Sequence, residues 1–342
     1  MQPYPHGTNM TPNTRVRIAL IGAGAMGTLH ARAVTHSQDA ELACVVDPDA
    51  ELGEALAERF RSRWIPSLDG FGGCDAAIVA SPTSTHTAWG LRAIEDGKPV
   101  LIEKPLSENV DESELLVATA RRHGVPLTCG FLERFNPAVL TALEVIDEPV
   151  HVAAVRHSPY VPRITTGVAH DLLIHDVDLI LRMAGRLPDR MTANFAYCHP
   201  KSEPQVEDVV DVTLQYDDMF LASLSASRVS QRKVRTLVVT ELERLVEVDL
   251  VRQDLTVYRH VENEPLHDNG PGYRQQTIID IPTIQQPREP LATQLNRLVA
   301  LVRGEVDLQS ELDSLLPPHR LVNELVERES RAGAGQRIAG FS

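Results

Sequence analysis

The sequence of 342 residues has few cysteines, less positive than negative charge and no long apolar run. Its four cysteines are far apart and form no C-x-x-C pair, which is typical of reduced, mostly buried thiols in a cytoplasmic protein. The formal net charge of −14 argues against general binding to nucleic acid or to an anionic membrane surface. Because no apolar run approaches the ~18 residues of a membrane helix, a membrane span is not expected either.

The succession of patterns along the chain predicts two domains, in keeping with the chain length and a hydrophobic content of 43%. Residues 1–14 are polar, contain three prolines and a glycine, and are interpreted as a flexible N-terminal extension. Over residues 15–133, short apolar runs alternate with amphipathic helical stretches, which indicates an α/β domain with a doubly wound parallel sheet. Over residues 134–342, consecutive strand-like runs predict an α+β domain with a mainly antiparallel sheet and C-terminal helices.

The hexapeptide GAGAMG follows the first apolar run and opens a helix. In this position its glycines allow a tight turn and bring the backbone close to a pyrophosphate at the helix N-terminus, although they could simply pack helix against strand. The candidate cofactor contacts are Gly22, Gly24, Ala25, Met26 and Gly27. Asp47 ends the next apolar run, where a carboxylate bonds the adenosine ribose and repels a 2′-phosphate. NAD is therefore expected in preference to NADP.

Two further motifs lie at predicted strand ends, the edge at which doubly wound sheets bind ligands. The first, SPTSTH, is explained equally well by a helix cap with a histidine in the first turn. Its candidate cofactor contacts are Ser81, Pro82, Thr83 and His86. The second, EKP, adds Glu103 and Lys104, and Pro105 keeps the lysine extended. A lysine there can donate to a substrate oxygen, but a surface lysine before a turn is the plain alternative.

The stretch HDLLIHDVDLI concentrates histidine and aspartate on an otherwise apolar segment. On an α-helix, His170 and His175 point about 140° apart, which does not suit a zinc site, and no metal is expected. Asp171, His175 and Asp178 instead fall within about 60° of one another. The other sides carry Leu172, Leu173, Ile174, Val177, Leu179, Ile180 and Leu181. A polar stripe on a buried helix either faces a cleft or forms a buried His–Asp pair.

Six motifs in order, IGAGAMG, VVDPD, ASPTSTH, GKPVLIEKP, GFLERFNP and DLLIHDVDLI, resemble the Gfo/Idh/MocA family of oxidoreductases. The resemblance implies a Rossmann domain, a second domain with an open sheet, and assembly into dimers or tetramers. It also implies NAD(P)-dependent oxidoreduction of sugars or cyclitols. The family's catalytic set maps onto Lys104, Asp171 and His175. One departure is Leu173, where the family commonly has glycine.

Within that family, ERFNP resembles the branch that acts on nucleotide sugars, notably UDP-N-acetylglucosamine 3-dehydrogenases. An inositol-type dehydrogenase and a non-catalytic dinucleotide sensor are the competing hypotheses, and the latter has no use for a proton-transfer set. The candidate substrate contacts are Arg134, Asn136, Arg163, Asp171 and His175, with Arg156 and His157 in the same stretch. Arginine suits a diphosphate because its planar fork holds two oxygens at once.

Overall fold

The chain divides into two compact units in the computed structural model, which describes residues 14–162, 164, 166–262, 275–284 and 289–333. The first unit contains the chain up to Leu132 together with Arg288–Arg320. The second contains Glu133–Pro287 and the chain from Leu321 onward. The expected N-terminal extension lies outside the described residues, apart from Thr14.

The regular elements follow the alternating patterns of the sequence, with the short strand Arg63–Ile65 as an unpredicted addition to the first unit. The strands are β1 (Val16–Ile21), β2 (Ala40–Val46), β3 (Arg63–Ile65), β4 (Ala76–Val79), β5 (Val100–Ile102), β6 (Leu127–Cys129), β7 (His151–His157), β8 (Arg190–Ala196), β9 (Val209–Tyr216), β10 (Phe220–Ser227), β11 (Val234–Thr240), β12 (Leu245–Asp249), β13 (Asp254–Glu262) and β14 (Gln275–Asp280). The helices are α1 (Ala25–His36), α2 (Ala50–Arg59), α3 (His86–Glu95), α4 (Val110–His123), α5 (Pro137–Val145), α6 (Ile174–Ala184), α7 (Pro290–Arg303), α8 (Leu308–Asp313) and α9 (Leu316–Gly333).

The first unit is built on a six-stranded sheet in the order β3-β2-β1-β4-β5-β6, with every pairing parallel. Its central strands β1 and β4 are apolar and buried apart from the exposed Arg17, as expected of strands covered on both faces. The strand order reverses between β1 and β4, so a crevice opens beyond their carboxyl ends. The predicted doubly wound sheet is confirmed, and GAGAMG and SPTSTH follow the two strands at this point.

Helix α7 corrects the expected domain boundary. The sequence predicts that residues 134–342 form the second domain, but residues 289–320 belong to the first unit. On α7, Leu291, Leu295 and Leu298 join the same buried core cluster as Val16 and Leu20 of β1. The apolar stripe of an amphipathic helix shows that one face is buried, but it does not show which sheet covers that face.

The second unit is built on an eight-stranded sheet in the order β14-β13-β12-β11-β7-β10-β9-β8. Among the described strands of this sheet only the β7–β10 pairing is parallel, which confirms a mainly antiparallel sheet in an α+β unit. Along β7 the residues alternate between buried and half-buried. The buried face packs against α6 and the turn before it, while α5 packs against β12 and β13.

Two expectations from composition can be compared with these units. Cys44, Cys74 and Cys129 are buried and Cys198 is exposed, so the cysteines are mostly buried, as expected. Within the part of the chain that the structure describes, none of the helices has the length and apolar character needed to cross a lipid bilayer.

Candidate active site

The loop between β1 and α1 has a backbone conformation that requires glycine. Gly22 has a φ of +102°, and a Cβ there would lie 2.6 Å from the carbonyl oxygen of Ala80. A Cβ on Gly27 would lie 2.0 Å from the carbonyl oxygen of Gly22. Gly24, the exposed N-cap of α1, has no atom within 4 Å of its Cβ position and adds no side-chain cap. The N-terminal amides of α1 are thus open to an approaching anion, and the loop fits a pyrophosphate.

Asp47 is a half-buried carboxylate held in place beside this loop. Its Oδ2 accepts a hydrogen bond from the backbone N–H of Ala23 at 2.7 Å. Its Oδ1 accepts one from the N–H of Asp49 at 2.9 Å. The side chain of Asp49 already has other partners, because it caps α2 by accepting hydrogen bonds from two backbone N–H groups. Asp47 is therefore the fixed negative charge at the end of β2, the place from which a ribose carboxylate acts.

His86 differs from its predicted role as a cofactor contact. It is buried, and its ring nitrogens lie 2.9 Å from the carbonyl oxygens of Ser81 and Pro105. The ring therefore links the segments that follow β4 and β5 and is not presented to a ligand. Ser81 pairs its hydroxyl with that of Thr85, while Pro82 is exposed and Thr83 half-buried.

Glu103 and Lys104 occupy different environments although they are neighbours. Glu103 is buried, with Oε1 2.7 Å from Nε2 of His30, and its carboxyl group fills the space beside Gly130. Lys104 is half-buried and precedes a cis peptide bond to Pro105. Glu103 thus packs inside the unit, contrary to its predicted contact with a cofactor, and supports the segment that carries Lys104.

Two histidines that sequence reasoning missed hold this segment from within. His30 of α1 bonds Glu103, and His319 of α9 accepts from the N–H of Leu106 at 3.1 Å through Nε2. Nδ1 of His319 lies 2.7 Å from the carbonyl oxygen of Leu315, which assigns the proton to that nitrogen. Both histidines are far from the EKP motif in the sequence, so no local pattern indicated the contacts.

In the second unit, the segment that carries Asp171 and His175 begins as a π-helical turn, Ala169–Leu173, and continues as α6. All seven predicted apolar residues around it are buried: Leu172, Leu173, Ile174, Val177, Leu179, Ile180 and Leu181. Asp171 and His175 are half-buried. A π turn has more residues per turn than an α-helix, so α-helical angles do not hold across it. The expected grouping with Asp178 is wrong, because Asp178 is buried in an ion pair.

The partner of Asp178 is Arg134, one of the predicted substrate contacts. Arg134 is buried, and its Nε and Nη2 donate to the Asp178 carboxylate at 2.8 and 2.6 Å. Asn136 is also buried, where Oδ1 caps α5 and Nδ2 donates to Glu133 and to the carbonyl oxygen of Leu250. Both side chains serve the interior of the unit, which corrects their assignment to substrate. Arg163 lies outside the described residues.

A second buried ion pair is centred on Arg156, which has 0% exposure. Its Nε and Nη2 donate to Asp176 at 2.9 and 2.8 Å, and its Nη1 donates to Glu133 at 2.8 Å. Arg235 reaches the same oxygen of Glu133 from 3.3 Å. Burial alone would raise the pKa of Glu133, but the charges of Arg156 and Arg235 outweigh it and lower that pKa. Arg156 is thus a structural residue, not a free cation for a diphosphate.

The predicted catalytic residues are divided between the two units. Lys104 belongs to the first unit, where it follows β5, and Asp171 and His175 belong to the second, at the start of α6. Within the second unit, Asp171 and His175 lie on one short segment whose apolar side chains are buried and whose His170 is also half-buried. This arrangement places a carboxylate and an imidazole where each keeps partial access to solvent.

Comparison with known proteins identifies the class to which these two units belong. Residues 16–131 match an oxidoreductase family with an NAD-binding Rossmann fold, and residues 145–245 match the GFO/IDH/MocA C-terminal domain. UDP-N-acetylglucosamine 3-dehydrogenase from Acidithiobacillus ferrooxidans is 30% identical over 247 residues, which are 71% of this chain and 77% of that protein. An inositol 2-dehydrogenase from Acidothermus cellulolyticus is 38% identical over 184 residues, 50% of this chain and 54% of that protein.

A solved structure of the Acidithiobacillus ferrooxidans enzyme has a TM-score of 0.77 to this chain at 26% identity. The match covers 92% of this chain and 98% of the other. The chain therefore belongs to the Gfo/Idh/MocA family of oxidoreductases, and its first unit is an NAD-binding Rossmann domain.

Proposed function

We propose that this enzyme transfers hydride between NAD and a secondary hydroxyl or ketone of a sugar, most specifically a nucleotide-linked hexose oxidised at C3 or its 3-keto form. The observation that carries the proposal is the half-buried pair Asp171 and His175 on a segment whose apolar side chains are buried. Similarity to a UDP-N-acetylglucosamine 3-dehydrogenase supports the nucleotide-linked substrate. The competing substrate is a free cyclitol, which the inositol 2-dehydrogenase supports.

The cofactor is proposed to bind at the glycine loop and Asp47. NAD, when bound, accepts or returns the hydride. The open N-terminus of α1 holds the pyrophosphate through its backbone amides, and the missing Cβ of Gly24 leaves room for it. The Asp47 carboxylate accepts from the ribose hydroxyls and repels a 2′-phosphate, which favours NAD(H) over NADP(H).

The proton of the substrate hydroxyl is assigned to His175. A ring nitrogen of His175 takes this proton during oxidation and returns it during reduction, because imidazole titrates near working pH. Asp171 orients the ring, and the ammonium of Lys104 polarises the substrate oxygen. Lys104 is the competing base. No metal ion has a role in this scheme, so activity should survive prolonged chelation.

Kinetics of two single variants separate the two candidate bases. His175→Ala should slow single-turnover hydride transfer by about 10²–10⁴-fold and change its pH profile. Lys104→Ala should slow the same step without removing the ionisation that His175 contributes. A His175→Ala enzyme with a near-normal rate and pH profile would transfer the role of base to Lys104.

The second unit is also proposed to join copies of the chain. One face of its sheet packs on helices, whereas along β7 the opposite side chains, including His151, Ala153 and Val155, are half-buried. A second copy covering this face would form a dimer or, by repetition, a tetramer. A monomer at micromolar concentration by light scattering would refute this assembly.

The substrate is tested by measuring reduction of NAD with a panel of UDP- and TDP-hexoses and with myo- and scyllo-inositol. We expect turnover of an N-acetylated UDP-hexose and much weaker turnover of the free cyclitols. Turnover of inositols with none for any nucleotide sugar would select the competing substrate. Tight NAD binding with no turnover of any alcohol would support the dinucleotide sensor.

A further inference from the structure

Two arginines lie opposite each other on neighbouring strands of the second unit. The antiparallel register of β11 and β7 pairs Arg235 with Arg156. Like charges at directly opposed positions of a sheet repel each other. Arg156 is fully buried, whereas the side chain of Arg235 keeps 26% of its surface exposed. Of the two arginines, Arg235 on β11 is therefore the one that a ligand can reach.

The nearby carboxylates do not satisfy Arg235. Asp176 receives two hydrogen bonds from Arg156, and Glu133 receives its shorter bond, 2.8 Å, from the same arginine. Arg235 is left with one contact of 3.3 Å to Glu133. Its Nε is buried and has no hydrogen-bond partner among the described residues. The guanidinium is therefore only weakly held by the protein, and the exposed part of the side chain can bind an acceptor from outside it.

Lys233 adds a third cation to this edge. It lies two positions before Arg235, so both side chains project to the same side of an extended chain, and Lys233 is exposed. The charge of Arg235, and then burial, lower the pKa of Lys233. Burial, and then the charge of Arg156, lower the pKa of Arg235. Lys233 and Arg235 thus place two positive charges side by side at this edge of the sheet.

This pair of cations belongs to the unit that carries Asp171 and His175. The turn Ala169–Leu173, which carries Asp171, packs against β7 and β10, and Asp171 is among the charges that act on Arg235. An anionic group bound by Lys233 and Arg235 would therefore be attached to a molecule whose reacting carbon lies near Asp171 and His175.

We propose that Lys233 and Arg235 form an oxyanion subsite that binds the anionic group of the substrate. The proposal rests on the proposed function, which places a sugar beside Asp171 and His175. The guanidinium fork accommodates two oxygens, and the lysine supplies a movable second charge. The oxyanion can be a phosphate of a nucleotide diphosphate or the carboxylate of a sugar acid. It takes the place of the site that we had expected at Arg134 and Arg156.

Binding of inorganic pyrophosphate and UDP to the full-length protein, measured by calorimetry, tests the subsite without turnover. Lys233→Gln should weaken both ligands by about tenfold, which corresponds to roughly 1.4 kcal/mol. Arg235→Lys keeps the charge but loses the fork and should weaken them comparably. Arg232→Gln removes an exposed neighbouring charge and serves as the matched control, with affinity close to wild type. Unchanged affinity in both Lys233→Gln and Arg235→Lys would overturn the proposal.

Steady-state kinetics distinguishes the sources of the oxyanion. The ratio of KM for a UDP-hexose to KM for a neutral cyclitol should rise about tenfold in Lys233→Gln if the group is a phosphate. The same rise with a hexuronate, and none with the UDP-hexose, assigns a carboxylate. An equal change for anionic and neutral substrates overturns the subsite but leaves the proposed function intact. If the wild-type protein binds pyrophosphate but oxidises no sugar, and the variants lose pyrophosphate binding, the subsite is supported and the proposed function is rejected.

Discussion

The two units build their candidate sites in different ways. In the first, the backbone makes the site: a glycine loop, the N-terminus of α1 and one carboxylate held by neighbouring amides. In the second, buried ion pairs between distant residues fix the segment that carries Asp171 and His175. The first kind of site depends on the absence of side chains, and the second depends on pairing them. Substitutions on the open side of the glycine loop should therefore weaken ligand binding, whereas loss of a buried charge in the second unit should destabilise its fold.

The largest expected effect of this difference is on stability in the second unit. Arg156→Met should lower the free energy of unfolding by about 3–5 kcal/mol, because Glu133 and Asp176 would remain buried without their partner. Urea denaturation followed by circular dichroism measures the loss. Arg331→Met, which removes an exposed i,i+4 pair with Glu327, is the control and should change stability far less. Equal losses in the two variants would show that the buried pairs do not organise this unit.

Two glycine variants test the backbone-built site. Gly27→Ala should destabilise the first unit, because its Cβ would lie 2.0 Å from a carbonyl oxygen. Gly24→Ala has open space around its Cβ and should change stability by less than about 1 kcal/mol. It should nevertheless weaken NAD by about tenfold or more, since a methyl group would intrude on the pyrophosphate. Fluorescence titration with NADH measures the affinity, and unchanged affinity in Gly24→Ala would remove the loop from the binding site.

Substitution of Asp47 should have a smaller effect on cofactor binding in the same unit. Asp47→Asn keeps an oxygen to accept from Ala23 but removes the negative charge. We expect the affinity ratio of NAD(H) to NADP(H) to fall by about tenfold, because the repulsion of a 2′-phosphate is lost. Parallel titrations with the two cofactors provide the ratio. A wild-type protein that already binds NADPH as tightly as NADH would contradict the role given to Asp47.

The smallest expected effects are opposite pH dependences of stability in the two units. In the first, burial raises the pKa of Asp75, but the hydrogen bonds and charge of Arg17 outweigh it and lower that pKa. This stabilisation is present above the unfolded pKa and is lost as pH falls through the folded pKa. In the second, burial raises the pKa of Glu207. Its neutral form favours folding at low pH, and this advantage is lost as pH rises through the folded pKa.

Two amide variants make this contrast measurable. Asp75→Asn should be less stable than wild type at neutral pH, with the difference shrinking as the pH is lowered. Glu207→Gln should become more stable relative to wild type as the pH is raised. Its amide oxygen can still accept the hydrogen bond from the N–H of Ala169. Thermal unfolding across the pH range measures the stability difference of each variant from wild type. Slopes of the same sign would contradict the opposite environments assigned to these carboxyl groups.

The same contrast explains how much could be predicted from the sequence. The glycine loop and Asp47 belong to a recurring pattern of strand, glycine turn, helix and acidic strand end, so their spacing indicated the site. Arg134 and Asp178 are 44 positions apart, and their pairing depends on tertiary packing that no local spacing encodes. An arginine suits a diphosphate as well as it suits a buried carboxylate, so the sequence alone does not distinguish the two roles of Arg134.

The same limit applied to two other features. The apolar stripe of α7 predicted a helix but not its unit, because both sheets offer apolar faces. The π-helical turn at Ala169–Leu173 carries no distinctive composition, so the expected stripe extended to Asp178 as on a regular helix. The apolar residues of that segment were nevertheless predicted correctly, because burial on all sides leaves a continuous hydrophobic pattern.

The most direct test of the proposed reaction uses UDP-N-acetylglucosamine carrying deuterium at C3, with NAD in a single turnover. The account predicts that the deuterium appears in the reduced nicotinamide and that its formation is slower than from the unlabelled sugar. Formation of NADH from free myo- or scyllo-inositol, with none from any UDP- or TDP-sugar, would contradict it.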